Sequence, residues 1–202
     1  MKIVGFLFII ISITGNAQSW EVKNHPNNGK MAIFNNSKQI SSYRFSEVGE
    51  LSQGKAFVAE GDLYGYINEN GRLETSYQFV IATNFKDGYA IVGDSINQNI
   101  LNTAMKLLLP SQFARVKLPY NGLILVQSHE GLWGAYDTSG SELIPPMYAL
   151  PPRILNKNKI IVRLNDEYGV VNAHNESIFN ASYQYISPTG YGYKSGMYLR
   201  LF

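Results

Sequence analysis

Short apolar runs alternate with polar or glycine-containing turns along almost the whole chain, and the runs resemble one another. In Gly54-Lys55-Ala56-Phe57-Val58, Ala56 and Val58 share one face while Lys55 and Phe57 share the other, the period of two that marks a strand. Glu60-Gly61-Asp62 then reads as a turn. A second run, Leu63 to Asn68, carries Tyr64-Gly65-Tyr66-Ile67, and Asn68-Glu69-Asn70-Gly71 after it is a tight-turn signal with Gly71 suited to a positive φ. A third extended stretch begins at Leu73 and ends near Phe79. The pattern predicts three short antiparallel strands in this segment.

The same pattern returns at a fixed distance. Gly54, Gly88 and Gly122 are 34 apart, as are Val58, Val92 and Val126. A second comb holds the aromatic-glycine pairs Tyr64-Gly65, Trp133-Gly134 and Tyr168-Gly169, whose glycines are 69 and 35 apart, with Asn99 where the missing glycine would stand. Counting 14 residues on from Gly65, Asn99, Gly134 and Gly169 reaches an aromatic each time: Phe79, Phe113, Tyr148 and Tyr183. Glycine weakens a strand, so its recurrence predicts either a close approach of backbone or a ring packed over the bare Cα. A worn first unit runs through Met31-Ala32-Ile33-Phe34 to Tyr43 and Phe45, and in the last clear unit Asn175 takes the turn position of glycine. The third unit is the weakest. Asn102 to Leu109 has no turn glycine and several helix formers before Pro110, so a short helix is the alternative there.

A period of about 35 residues implies stacked copies of a unit too small to bury its own apolar face. These residues resemble the WG-repeat family: the strands Gly54-Lys55-Ala56-Phe57-Val58 and Gly88-Tyr89-Ala90-Ile91-Val92, the pair Tyr64-Gly65, Trp133-Gly134 with Asp137, and Tyr168-Gly169 with Asn172. The resemblance spans roughly residues 30 to 190. It implies an all-β repeat scaffold of bacterial, often exported, proteins, with no common activity and no catalytic residues to carry over. The expected fold is therefore all-β, with about five three-stranded antiparallel repeats forming an open twisted β-repeat array. A closed five-bladed propeller-like ring is the alternative, although propeller blades normally use four strands and about 40 residues or more.

The ends add a location. Met1-Lys2, the apolar stretch Ile3 to Ile13 and the small residues before Gln18 have the anatomy of a signal peptide cut after Ala17, leaving residues 18–202 as a single repeat domain with no further membrane segment. An exported chain with no cysteine must take its stability from packing rather than disulfides. Its formal charge of +2 is scattered, which excludes the clustered basic surface that nucleic acid or an anionic membrane requires. The closing stretch Lys194 to Phe202 alternates like the last strand of an outer-membrane barrel, but the other strands are too short and broken, so it is expected to seal the array.

Candidate chemistry is sparse. His25, His129 and His174 have no histidine or cysteine at ligand spacing and fit solvated loops better than metal ligands or bases. Asp62, Glu130 and Asp166-Glu167 recur before the aromatic-glycine strand, without the dense oxygen loop that calcium needs. No catalytic, cofactor-binding or metal-binding residue is assigned. Tyr64, Trp133 and Tyr168 are the candidates for stacking on a ligand, against the plainer reading that each ring packs repeat to repeat. The expectation is an exported, non-enzymatic, cofactor-free protein binding a protein partner or a cell-envelope glycan, with an envelope assembly component as the alternative. A hydrolase using Asp62 and Asp166 is the weakest alternative.

Overall fold

The computed structural model describes residues 20–110, 113–156 and 158–202; the leader expected at residues 1–17 lies outside them. Every regular element among the described residues is a strand. The first sheet joins β1 (Trp20–Asn24), β2 (Met31–Asn35) and β3 (Lys38–Gln39). The second joins β4 (Glu47–Val48), β5 (Lys55–Glu60) and β6 (Leu63–Asn68), and the third β7 (Ile81–Ala82), β8 (Tyr89–Gly93) and β9 (Gln98–Asn102). In the fourth, β10 (Arg115–Val116), β11 (Leu123–Gln127) and β12 (Trp133–Asp137) are followed by β13 (Glu142–Tyr148). The fifth contains β14 (Arg153–Asn156), β15 (Lys159–Leu164), β16 (Glu167–Val171) and β17 (Ser177–Tyr183), and the sixth β18 (Tyr185–Ile186), β19 (Tyr191–Lys194) and β20 (Met197–Arg200). Each sheet is a meander in chain order, and among the described residues none closes into a barrel.

Two differences from the sequence expectation stand out. Among the described residues there are six sheets rather than about five, because the closing stretch supplies β20, which joins β18 and β19 as a separate meander instead of sealing an earlier sheet. A unit also opens with an additional short strand, β4, β7, β10, β14 or β18, so the third strand expected from the sequence is its fourth pass. That pass forms β13 and β17 in two sheets and survives elsewhere as the isolated bridges Tyr64↔Phe79 and Gln98↔Phe113. The fourth and fifth sheets pair the same positions, Trp133↔Tyr148 and Tyr168↔Tyr183. The constant spacing of the closing aromatics is thus the length of chain needed to bring that residue back opposite the residue before the glycine.

The fourth pass also explains the glycine. Its register is interrupted between Trp133 and Ala135 and between Tyr168 and Val170, so its backbone bulges over the strand beside it. A Cβ on Gly134 would lie 2.5 Å from Ile144 O and 2.7 Å from Pro146 N; on Gly169 it would lie 2.8 Å from Phe179 O, and on Gly65 3.0 Å from Thr75 O. The obstacle is the carbonyl ten residues on in each case, so close backbone approach, and not a ring, sets the glycine. Asn99 keeps the same relation by other means: its amide accepts from Leu109 N–H and donates to Leu109 O, both at 3.0 Å.

The turn before the fourth pass has one design throughout. Asn68, Asp137 and Asn172 each accept, through one side-chain oxygen, the backbone N–H groups two and four residues on. Asn102 does the same with Ala104 and Lys106, so the third unit forms this turn and no helix. Met105 there has φ 58°, where the other units place Gly71, Gly140 or Asn175. The repeat context overrides the helix propensity of Ala104 to Leu109 because the Asn102 side chain closes the turn.

The described residues divide into two compact units, those up to 95 with 101–106 and those of 96–100 with the rest beyond 106. In the first, one buried cluster joins Trp20, Ile33, Phe45, Ala56, Val58 and Ile67, and another joins Phe57, Tyr66, Phe79, Phe85, Ala90, Val92 and Leu101. β5 therefore buries both faces, one in each cluster. In the second, Leu123, Leu125, Trp133, Ala135, Ile144, Tyr148, Ile160, Val162 and Val171 form a core, with a smaller one around Ile161, Val170 and Ile186. Neighbouring sheets within a unit are further tied by hydrogen bonds spanning about one repeat. Asn35 Nδ2 donates to Glu69 O and the Glu50 N–H to Asn84 Oδ1, both across 34 residues. Gly88 N–H donates to Gln53 Oε1 across 35, and in the second unit Asn121 Nδ2 donates to Leu155 O across 34.

Candidate functional site

The three rings proposed for stacking sit in different surroundings. Tyr64, in the first unit, is half-buried, lies edge-on to Phe57 at 5.5 Å and donates its hydroxyl to Glu47 at 2.7 Å. That hydrogen bond, more than partial burial, holds the Tyr64 hydroxyl above its ordinary pKa. Trp133, in the second unit, is 8% exposed and belongs to the core cluster, with Lys117 Nζ 5.1 Å from its ring centroid. Tyr168 is half-buried, with the Arg163 guanidinium 5.8 Å from its centroid. The alternation that puts these rings on equivalent strand positions also aims them at a neighbouring cluster.

The polar candidates are dispersed. His25 accepts from the Asn27 N–H at 3.3 Å, and the His129 ring lies 3.0 Å from Asn97 Oδ1. Asp166 pairs with Arg163 at 2.9 Å, and Asp62 is exposed in the other unit. Asp137 is held below the usual carboxylate range by the Ser139 hydroxyl first, and then by the Ser141 N–H, as its turn role requires. Among the described residues no three histidines, cysteines or carboxylates converge on a metal-sized site.

Tyrosine burial has a consequence at high pH. Burial and then the Glu142 carboxylate push the Tyr136 hydroxyl up to about 12, and burial raises Tyr66 and Tyr148 as well. The folded state holds these protons through a range in which the unfolded chain, titrating at 10.0, has lost them. Stability is therefore fully present below pH 10 and is expected to fall as pH rises towards 12, with Tyr136→Phe blunting the fall. Denaturant midpoints measured at stepped alkaline pH check this; a flat profile would contradict it.

Three surface features remain that sequence reasoning did not find. In the first unit, a wide-mouthed cavity of about 440 Å3 is lined by the Lys55–Glu74 ion pair, Asn68, Arg72, Thr103 and Met105. In the second, a narrower cavity of about 240 Å3 has Leu123, Leu125 and Ile154 as walls and Lys117, Tyr120 and Arg153 around it. Its residues come from stretches some 30 apart in the chain and carry no motif. The third feature is the last sheet, where Met197, Tyr198 and Leu199 on β20 and Tyr185 and Tyr191 beside it are all exposed. β20 pairs with β19 alone, so its other edge is open among the described residues.

Tandem four-pass meanders with a shared glycine rule define a β-repeat protein. The model of the WG containing repeat matches residues 64–93 and 133–168, the two segments that carry Tyr64-Gly65 and Trp133-Gly134. No curated protein matches the chain. Among solved structures, BamB from Moraxella catarrhalis is similar at 12% identity and TM-score 0.37, over 82% of this chain and 61% of that one. Hsv2 from Kluyveromyces lactis is similar at 12% identity and TM-score 0.42, over 78% of this chain and 58% of that one. The WD40 β-propeller domain of Doa1 is similar at 10% identity and TM-score 0.36, over 87% of this chain and 72% of that domain. This chain spans about three fifths of the length of the first of these structures. Likenesses at this level transfer no activity or partner.

Proposed function

We propose that this is an exported, non-enzymatic β-repeat protein that binds a partner protein along the open edge of β20. The observation that carries the reading is the exposure of that strand: Met197 is 61% and Tyr198 70% exposed, beside an edge with unpaired backbone groups. An exposed strand edge templates the addition of another strand, main-chain hydrogen bonds giving affinity and side chains giving specificity. Tyrosine and methionine suit the centre of such an interface, being rich in contact area. Lys194 and Arg200 lie at the ends of the β19–β20 hairpin, so the complementary partner strand is apolar with acidic flanks. The scattered histidines and carboxylates support a binding role over a catalytic one, and the sequence of residues 1–17 supports export.

The test is capture from cell-envelope extract by the purified chain and by a Tyr198→Pro variant, which removes one edge N–H and an exposed ring. Loss of one specific protein from the variant, with thermal unfolding unchanged, is the expected result. Equal capture by both forms would sink the edge reading, and retention on purified cell-wall polymer instead of protein would replace it with a glycan platform.

A further inference from the structure

We propose that the cavity of the second unit is a binding site for a carboxylate carried on a small apolar body. Its floor is apolar and packed: Leu123 is 1% and Leu125 7% exposed on β11, and both belong to the main core cluster of that unit. Leu118, Ile154 and the buried ring of Pro152 complete the apolar walls. The exposed Lys117 and Arg153 also line it, and among the described residues neither is in an ion pair. Arg153 is anchored by an Nη1 bond to Ile186 O at 3.3 Å, which orients a planar guanidinium suited to receiving a carboxylate. Lys117 is oriented by the face of Trp133 beneath it. Tyr120, 61% exposed, adds a ring to the lining.

Size and charge narrow the occupant. The cavity of about 240 Å3 lies below the roughly 300 to 1,000 Å3 of drug-sized pockets, so it holds one side chain or a short aryl or acyl group and not a polymer. A neutral apolar molecule would leave both cations unanswered. A polyanion would leave the leucine floor uncovered. A carboxylate with an apolar body answers both, whether it is a free small acid or the C-terminal residue of a peptide.

The test uses the whole chain with 4-phenylbutyrate as probe, read by calorimetry and by the methyl shifts of Leu123 and Leu125. Saturable binding that moves those methyls is expected, weakened about tenfold or more in Lys117→Gln and in Arg153→Gln, with 4-phenylbutanol weaker by a similar factor. Both substitutions are at exposed positions, and unchanged thermal unfolding confirms that each variant is folded. A Gly-Gly-Phe peptide separates the sources: binding with a free but not an amidated carboxyl assigns the site to a peptide terminus, and binding of the free acid alone assigns it to a small metabolite-sized carboxylate. Equal affinity for acid and alcohol, unchanged affinity in both variants, or no methyl shift at millimolar probe would each overturn the proposal. Its failure leaves the β20 reading untouched, since no residue of β20 lines this cavity.

Discussion

Gly134→Ala is expected to destabilise the protein by about 3 kcal/mol or more, the upper range for overpacking, although it adds one methyl group. The new Cβ would stand 2.5 Å from Ile144 O and 2.9 Å from Pro145 C, both backbone atoms of the bulged fourth pass. A side chain could rotate away; a bulge carrying two successive prolines cannot shift without breaking the pairing of β12 and β13. Gly61→Ala is the control. It meets nothing within 4 Å and suffers only from its φ of 71°, a cost of about 1 kcal/mol. Denaturant unfolding of the two variants should therefore separate widely, and equal losses would show that the close backbone approach at Gly134 relaxes at little cost.

Trp133→Ala is expected to cost about 3–5 kcal/mol, as for large aromatic side chains in cores. The ring contacts the cluster of Leu123, Leu125, Ile144, Tyr148 and Ile160, and it supports the Lys117 ammonium from below. Tyr64→Ala and Tyr168→Ala should cost less, because both rings are already half in solvent. A ladder of stacking rings would instead give three variants of similar, nearly native stability and reduced ligand retention. Thermal unfolding of the three side by side decides between these outcomes.

Much of the repeat was visible in residue spacing because its causes are local. The turn needs an Asn or Asp oxygen and a left-handed residue three positions on, and those two demands recur as Asn68 with Gly71, Asp137 with Gly140 and Asn172 with Asn175. The fourth pass was legible as the stretch from Leu73 to Phe79, whereas the first pass was hidden because β4, β7, β10 and β18 are two residues each, too short to show an alternation. The sixth sheet was hidden for a different reason: Tyr191-Gly192 falls out of phase with the earlier pairs. There a Cβ would meet the ring of Tyr183 at 2.6 Å, so the glycine of this pair, unlike those of the earlier pairs, lies under a ring, as Gly49 does under Phe57. The cavity beneath Lys117 and Arg153 left no trace in spacing, since its leucines look like any strand interior and its cations like any solvated pair. Met105 shows the limit of residue preference, holding a left-handed turn position because Asn102 fixes the backbone around it.

The bonds from Asn35 to Glu69, Glu50 to Asn84 and Asn121 to Leu155 join positions 34 apart, so each sheet measures the length of its neighbour. A single inserted residue would offset the donors and acceptors on either side of it, whereas loss or gain of a whole cassette would present each donor with an equivalent acceptor. Tolerance to altered length in such a chain is quantised: a complete module can be added or removed in register, while a lone insertion between two bonded positions cannot.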